Sequence, residues 1–255
     1  MRRIAATLLL SVLCALPVLA RAAGGEGGGF PLPGDELGLF QEIPSVFSAS
    51  KYEQKATQAP SSVSIVTADE IRKYGYRTFS EVLQSIRGFQ VTNDRNYIYL
   101  GIRGFGLPAD YNNRVLILVD GHPINEAVYD STLLGAAFPV EVDLIDRVEV
   151  VRGPSSSLYG NSAFFGVINV ITKDGRHLRG AQVSGEAGSL RTYKGMATYG
   201  TRLNSGLEVL VSASSLGSRG EDSLFYPEFD DPATNDGVAE GRDYERYEKY
   251  FVKAS

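Results

Sequence analysis

The sequence contains no tryptophan, two histidines and one cysteine. Each shortage argues against a class of chemistry. His122 and His177 stand far apart, and no group of Cys or His residues has metal-ligand spacing, so no metal site is predicted. No nucleophile elbow of the G-x-S-x-G kind occurs. Gly101-Ile-Arg-Gly-Phe-Gly106 has the glycines of a nucleotide loop but runs into Leu107-Pro108 and a polar stretch rather than a helix, which argues against a dinucleotide site. The reading is a protein that is not an enzyme and carries no cofactor. Past the N-terminus there is no apolar run of about 18 residues, hence no predicted membrane-crossing helix. Basic charge is scarce too. The formal charge is -5, and Lys and Arg cluster on no candidate helix, so a nucleic-acid footprint is absent. Asp230, Asp231, Asn235 and Asp236 miss the calcium-loop spacing and read as a solvated acidic loop.

The N-terminus supplies the first positive signal. Arg2 and Arg3 precede an apolar stretch from Ile4 to Leu19, and Ala20-Arg21-Ala22 fits a small-x-small cleavage site, which predicts an export signal over residues 1–22. Cys14 lies inside that apolar stretch, preceded by Leu13 and followed by further apolar residues, so lipidation is not expected. The predicted mature chain then has no cysteine, as suits an oxidising compartment. Residues 23–55 open with a Gly- and Pro-rich flexible tether.

From 56 to 174 the pattern becomes short, sharply punctuated elements, predicting a small mixed α/β domain. A strand around Val63–Val66 leads into Thr67-Ala-Asp-Glu70, a capping box opening a helix that Gly75 stops. Thr78-Phe-Ser-Glu81 repeats the device ahead of a helix with Phe79, Val82, Leu83 and Ile86 on one face. Strands are predicted at Phe89–Thr92, Tyr97–Ile102, Val115–Val119, Val148–Val151 and Val167–Ile171. Asp120-Gly121 is a two-residue hairpin signal.

After Lys173 the period changes to strict alternation. Ala181, Val183, Gly185 and Ala187 alternate with Gln182, Ser184 and Glu186; Tyr193, Gly195, Ala197 and Tyr199 with Lys194, Met196 and Thr198; Leu207, Val209, Val211 and Ala213 with Glu208, Leu210, Ser212 and Ser214. Transmembrane barrel strands give this pattern, and so does a soluble sheet packed on one face. Connection lengths favour the barrel. Arg202–Gly206 is a tight polar turn, whereas 217–243 is long, acidic and aromatic-studded, the asymmetry of outer-membrane barrels. A fourth strand over Tyr244–Val252 has poor alternation.

Four stretches, in order, carry a resemblance to a family. They are Ala59-Pro-Ser-Ser-Val63 running into Val66-Thr-Ala-Asp-Glu-Ile71; Ile102-Arg-Gly-Phe105; Val115-Leu-Ile-Leu-Val-Asp-Gly121; and Ile145-Asp-Arg-Val-Glu-Val-Val-Arg-Gly-Pro154 with Ser157-Leu-Tyr-Gly160 and Gly166-Val-Ile-Asn-Val-Ile-Thr-Lys173. Together they resemble the plug of TonB-dependent outer-membrane receptors. The resemblance implies an α/β plug followed by antiparallel transmembrane β-barrel strands, with residues 175–255 supplying about four strands and the barrel incomplete in this chain. It implies a Gram-negative outer-membrane location and contact with lipid. It also implies uptake of a small-molecule ligand such as a metal chelate: most commonly a ferric siderophore, with haem, cobalamin or a sugar as alternatives.

The implied partner is a TonB-type coupling protein. Its best candidate segment is Glu42, Ile43, Pro44, Ser45, Val46, Phe47, Ser48 and Ala49, with an ordinary linker as the alternative. Arg103 and Arg152 are implied plug–barrel locks, with solvation at the surface as the other reading. Gly104, Gly121, Gly153, Pro154 and Gly166 read as fold determinants: Gly104, Gly153 and Gly166 where side chains would clash, Gly121 and Pro154 in turns. Phe225, Tyr226 and Phe229 are candidates for ligand contact or for interfacial anchoring. A soluble periplasmic plug-like interaction module without transport is the rival reading.

Overall fold

In a computed structural model of the chain, the described residues are 45–46, 48, 54–55, 61–95, 97–106, 110–178 and 180–255. All fall within one compact unit, Ile43–Ser255. The predicted export signal and the Gly-rich start of the tether lie outside the described residues, as do Glu42, Ile43, Pro44, Phe47 and Ala49.

A short antiparallel pair, β1 (Ser45–Val46) with β2 (Gln54–Lys55), comes first. β3 (Ser62–Thr67) runs into α1 (Ala68–Tyr74) through the predicted box: the Thr67 hydroxyl accepts from the Glu70 amide, and the Glu70 carboxylate accepts from the Thr67 amide. The second box is only half made. Thr78 caps α2 (Phe79–Gln84), but the Glu81 carboxylate reaches one residue further back and accepts from the Arg77 amide. β4 (Phe89–Asn93) and β5 (Ile98–Ile102) form a separate hairpin. Buried Asn112 ties it down, accepting from the Leu100 amide and donating to the Ile98 and Thr132 carbonyls.

The central sheet takes β6 (Val115–Val119), β7 (His122–Pro123), β8 (Ile145–Arg152) and β9 (Gly166–Thr172), in the order β3-β8-β9-β6-β7. β6 and β9 are parallel and the other pairs antiparallel. Between β6 and β7, Asp120 and Gly121 have φ of 49° and 82°. Positive φ at both central residues is the hairpin geometry that an Asp-Gly pair favours. The helical face read from the sequence is buried in the core of this sheet: Phe79, Val82, Leu83 and Ile86 cluster with Ile117, Val150 and Ile168, joined by Ile102 of β5. Phe79 stacks on Phe138 with ring centres 4.0 Å apart.

After α3 (Ser156–Tyr159) and α4 (Gly175–Leu178) the chain enters an antiparallel wall: β10 (Gly180–Gly188), β11 (Thr192–Arg202), β12 (Glu208–Ser218) and β15 (Glu245–Ala254), in sheet order β10-β11-β12-β15. The long connection between β12 and β15 carries its own hairpin, β13 (Ser223–Phe225) with β14 (Val238–Glu240).

The wall packs on the α/β domain with its polar side. Thr198, Glu208, Ser212 and Ser214 are buried, while Val183, Tyr193, Tyr199 and Val211 on the opposite side are exposed. A soluble sheet covering a core would do the reverse. Apolar residues turned outward are what lipid requires. The fourth strand follows the same rule, which corrects the reading of poor alternation. Tyr247, Lys249, Phe251 and Lys253 turn inward, whereas Tyr250 and Val252 stand out at 74% and 70% exposure. Its inward lysines looked out of place only because their acidic partners lie on another part of the chain.

Candidate functional site

Three polar clusters tie the α/β domain to the wall, spread from the long-loop end to the tight-turn end. At the long-loop end Arg95, at the tip between β4 and β5, meets Asp243 at 3.2 Å. Tyr97, Tyr99 and Tyr111 gather beside that tip, with Tyr97 and Tyr111 edge-to-face at 5.0 Å.

The second cluster is the most enclosed. Glu141 immediately precedes a 3-10 turn over Val142–Leu144 and is buried. Its carboxylate takes Lys194 Nζ of β11 at 2.9 Å, Lys249 Nζ of β15 at 3.4 Å and the Ser214 hydroxyl of β12 at 2.9 Å. One acid of the α/β domain thus reads three strands. Lys194 also lies 3.5 Å from Asp143 and 4.0 Å from Glu186. Burial alone would raise the Glu141 pKa. The hydrogen bond from Lys194, the charges of Lys249 and Lys194 and the hydrogen bond from Ser214 outweigh it, and the carboxyl is held below its usual range.

At the tight-turn end two ion groups face each other across the interface. Glu208 of β12 lies 3.5 Å from Arg176 and 3.8 Å from Arg202. Lys253 of β15 reaches Asp174 at 2.9 Å, Asp120 at 3.3 Å and the Thr172 carbonyl at 3.1 Å. Burial pushes the Asp174 pKa up, but hydrogen bonds from Lys253 and Arg176 and their charges bring it below normal. Between these groups α4 seats backbone on backbone. A Cβ on Gly175 would lie 2.4 Å from the Val209 carbonyl oxygen, and one on Gly200 would lie 2.7 Å from Leu178 Cβ. The sequence reading singled out none of Glu141, Lys194, Lys249, Lys253, Gly175 and Gly200 as site residues. For Lys194, Gly200, Lys249 and Lys253 the only signal was charge or glycine on a strand; Glu141 precedes a 3-10 turn and Gly175 opens α4, and neither position carried a pattern of its own.

The residues singled out from sequence are placed differently. Arg152 bonds within the α/β domain, donating to the Arg87 carbonyl at 2.7 Å and the Ser64 hydroxyl at 2.8 Å. Arg103 is exposed, with φ of 54°. Glu186 and Glu208, acids on the inward faces of β10 and β12, pair with Lys194 and with Arg176 and Arg202 rather than with these arginines. Gly104, Gly121 and Gly153 stand in open space, with φ of 82°, 82° and 124°. Backbone conformation rather than crowding favours glycine there, which corrects the clash argument at Gly104 and Gly153. At Gly166 the clash argument holds, since a Cβ would come within 2.6 Å of the Val151 carbonyl oxygen. Pro154 is an exposed residue after β8. Phe225, Tyr226 and Phe229 lie in the long connection, with Phe225 and Phe229 exposed; the Tyr226 amide bonds the Gly237 carbonyl and the Phe229 amide bonds the Tyr226 carbonyl.

Within the candidate coupling segment, Ser45 and Val46 form β1, and Ser48 is buried. The Ser48 amide and hydroxyl donate to Glu149 at 3.1 and 2.6 Å, and its carbonyl accepts from the Tyr159 hydroxyl at 2.9 Å. Burial, and secondarily the Glu149 charge, raise the Tyr159 pKa. Among the described residues no group of acidic, His or Cys side chains is arranged to hold a metal ion.

A family model described as TonB-dependent Receptor Plug Domain matches residues 55–167. The chain is 35% identical over 148 residues to the vitamin B12 transporter BtuB of Vibrio vulnificus, covering 56% of this chain and 23% of that protein. It is 34% identical over 132 residues to the iron-regulated outer membrane virulence protein of Vibrio cholerae, covering 50% of this chain and 20% of that one. The chain therefore spans between a fifth and a quarter of these relatives. In fold it is similar to the ferripyoverdine receptor of the outer membrane of Pseudomonas aeruginosa, with a TM-score of 0.56, 22% identity, and coverage of 69% of this chain and 23% of that one.

Proposed function

We propose that this chain, which belongs to the TonB-dependent receptors, is the plug and first wall strands of an outer-membrane receptor for energy-coupled uptake of a scarce nutrient. The observation that carries this reading is the wall itself. It buries its polar face on the plug and turns its apolar face outward, an arrangement suited to lipid and costly in water. A soluble interaction module would gain nothing from exposing Val183, Tyr193 and Val252. The ligand we assign is a ferric siderophore, with cobalamin as the alternative that the similarity to a vitamin B12 transporter raises. Aromatics at the long-loop end, Tyr97 and Tyr111 on the plug and Phe225 and Phe229 on the loop, offer apolar contact on the outward side. The periplasmic partner is a TonB-type protein, to the edge of whose sheet residues 42–49 add as a strand. Strand addition relies on backbone hydrogen bonds, so side-chain identity is loosely constrained.

The test uses the intact receptor in a receptor-null strain, with uptake of a radioiron siderophore panel and of labelled cobalamin measured side by side. Deletion of residues 40–50 is expected to abolish uptake and spare ligand binding at the cell surface. Uptake that survives the deletion would place the coupling segment elsewhere. Recovery of the protein in the soluble periplasmic fraction would overturn the receptor reading.

A further inference from the structure

The plug does not meet all of the wall. On β12 the inward Glu208, Ser212 and Ser214 are buried. On β10 the inward Gln182, Ser184 and Glu186 are exposed, although they stand beside Thr198, Met196 and Lys194 of β11. Between β10 and the plug lies a space of about 950 Å³. Protein interiors are close-packed and leave few voids larger than a water molecule, so a space of this size is not a packing fault. Along β11 it runs past Met196 and Thr198. The next inward residue toward the long-loop end is Lys194, and the next toward the tight-turn end is Gly200, on which α4 is seated. Beside α1 the space reaches solvent, where Asp69 and Arg72 are exposed. In its lining Asp69, Asp146 and Glu186 stand among Arg72, Arg77 and Lys173, so neither sign dominates. A balanced polar lining holds water and offers weak contacts that a solute can leave, as a conducting path requires. Lys194 closes the outward end. It reaches Glu141 at 2.9 Å and Asp143 at 3.5 Å on the plug, and Glu186 of β10 lies 4.0 Å away on the other side. Without its ammonium these three acids would repel one another across the gap.

We propose that this space is a ready-made stretch of the ligand's passage along β10 and β11, and that Lys194 is its outward gate. The proposal rests on the reading of the chain as an uptake receptor. The cargo it suits is a water-soluble chelate or conjugate that carries its polar groups on the outside and passes through a space of about 950 Å³. Displacing Glu141 together with the 3-10 turn takes the main partner from Lys194 and joins the space to the outward side. Meanwhile α4 keeps its seat on Gly200, so the plug opens this side without leaving the wall as a whole.

The experiment uses the intact receptor in the receptor-null strain, in a background without other cysteines, with Ser184→Cys inside the space. A bulky, membrane-impermeant maleimide is added outside whole cells. At rest Ser184→Cys should label slowly, and supply of ligand and energy should speed the labelling. Lys194→Gln should speed it at rest by about tenfold, the order expected for losing one hydrogen bond to a charged group. Once labelled, the Ser184→Cys receptor should lose the uptake it had before labelling and keep ligand binding at the cell surface. Ser189→Cys, in the exposed turn between β10 and β11, should label at rest and lose no uptake. Uptake that persists after labelling at 184, or labelling that ligand and energy do not speed, overturns the passage. Equal labelling at rest with and without Lys194→Gln overturns the gate. A wild-type receptor that takes up no siderophore of the panel and no cobalamin fails the receptor reading instead, so the two failures are distinguishable.

Discussion

The plug sheet and the wall sheet bury opposite kinds of residue. In the plug, β6, β8 and β9 are lined by Ile117, Val148, Val150, Ile168 and Val170, all essentially without solvent contact. In the wall, the side that meets the plug carries Lys194, Thr198, Glu208, Ser212 and Ser214, relieved by Met196, Leu210 and Phe251, which join the plug's core. The plug holds together by removing apolar surface from water. It is held to the wall by satisfied polar groups, because the wall's apolar residues face the other way. Such an interface is specific, since each buried charge needs its own partner. It is also separable, since those partners can be exchanged for water.

The largest effect is expected at Glu141, where the comparison is sharpest. Glu141→Ala leaves Lys194 and Lys249 facing each other without their shared partner, and removing one member of a buried pair costs about 3–5 kcal/mol. Urea unfolding of the intact receptor, followed by exposure of the plug to protease, should show plug release before barrel unfolding. The same carboxyl predicts a pH dependence. Its folded pKa lies below the ordinary value of 4.5, so its stabilising contribution is present above the unfolded pKa and is lost as pH falls through the depressed folded one. Plug release should therefore rise with acid below about pH 4. Glu141→Gln should flatten that profile in part, because Asp174, also lowered, contributes with the same sign.

Next comes the outward face. Val211→Arg should cost about 2–4 kcal/mol for refolding into bilayers if that residue sits near mid-membrane, while a soluble sheet would tolerate it. Refolding yields in lipid vesicles equal to wild type would break the comparison at its root. Gly200→Ala should cost about 1–3 kcal/mol, because its Cβ would meet Leu178 and the Gly175 carbonyl and must shift α4; thermal denaturation in detergent reads it. The smallest effect is expected at Arg72. Its pair with Asp69 is solvent-exposed, so Arg72→Ala should change stability by about 0–1 kcal/mol. We keep Arg103 and Arg152 as proposed locks against wall strands beyond this chain, tested by antibiotic leak through Arg103→Ala and Arg152→Ala receptors; wild-type leak and uptake in both would leave them as plug residues only.

Much of the plug was legible because its signals are local. The Thr67 box, the Asp120-Gly121 turn and the helical face of Phe79, Val82, Leu83 and Ile86 each involve residues within a few positions of one another. The half-made second box shows the limit, since Thr78 and Glu81 have the right spacing, yet Glu81 bonds Arg77 instead. β10 to β12 were legible from alternation alone. β15 was misread, because Lys249 and Lys253 look wrong for an inward face until Glu141, Asp120 and Asp174 are brought beside them.

The sequence by itself determined which residues of each strand share a face, since side chains alternate along any extended chain. It also determined where helices start and where the chain must turn, because caps and positive-φ turns are chosen by neighbours a few residues away. Only the tertiary structure decided which face of the wall meets the plug, and that a buried glutamate at 149 would hold a serine at 48. Those outcomes depend on groups about a hundred residues apart in the chain. Their attraction exists only once folding has excluded water and lowered the local dielectric.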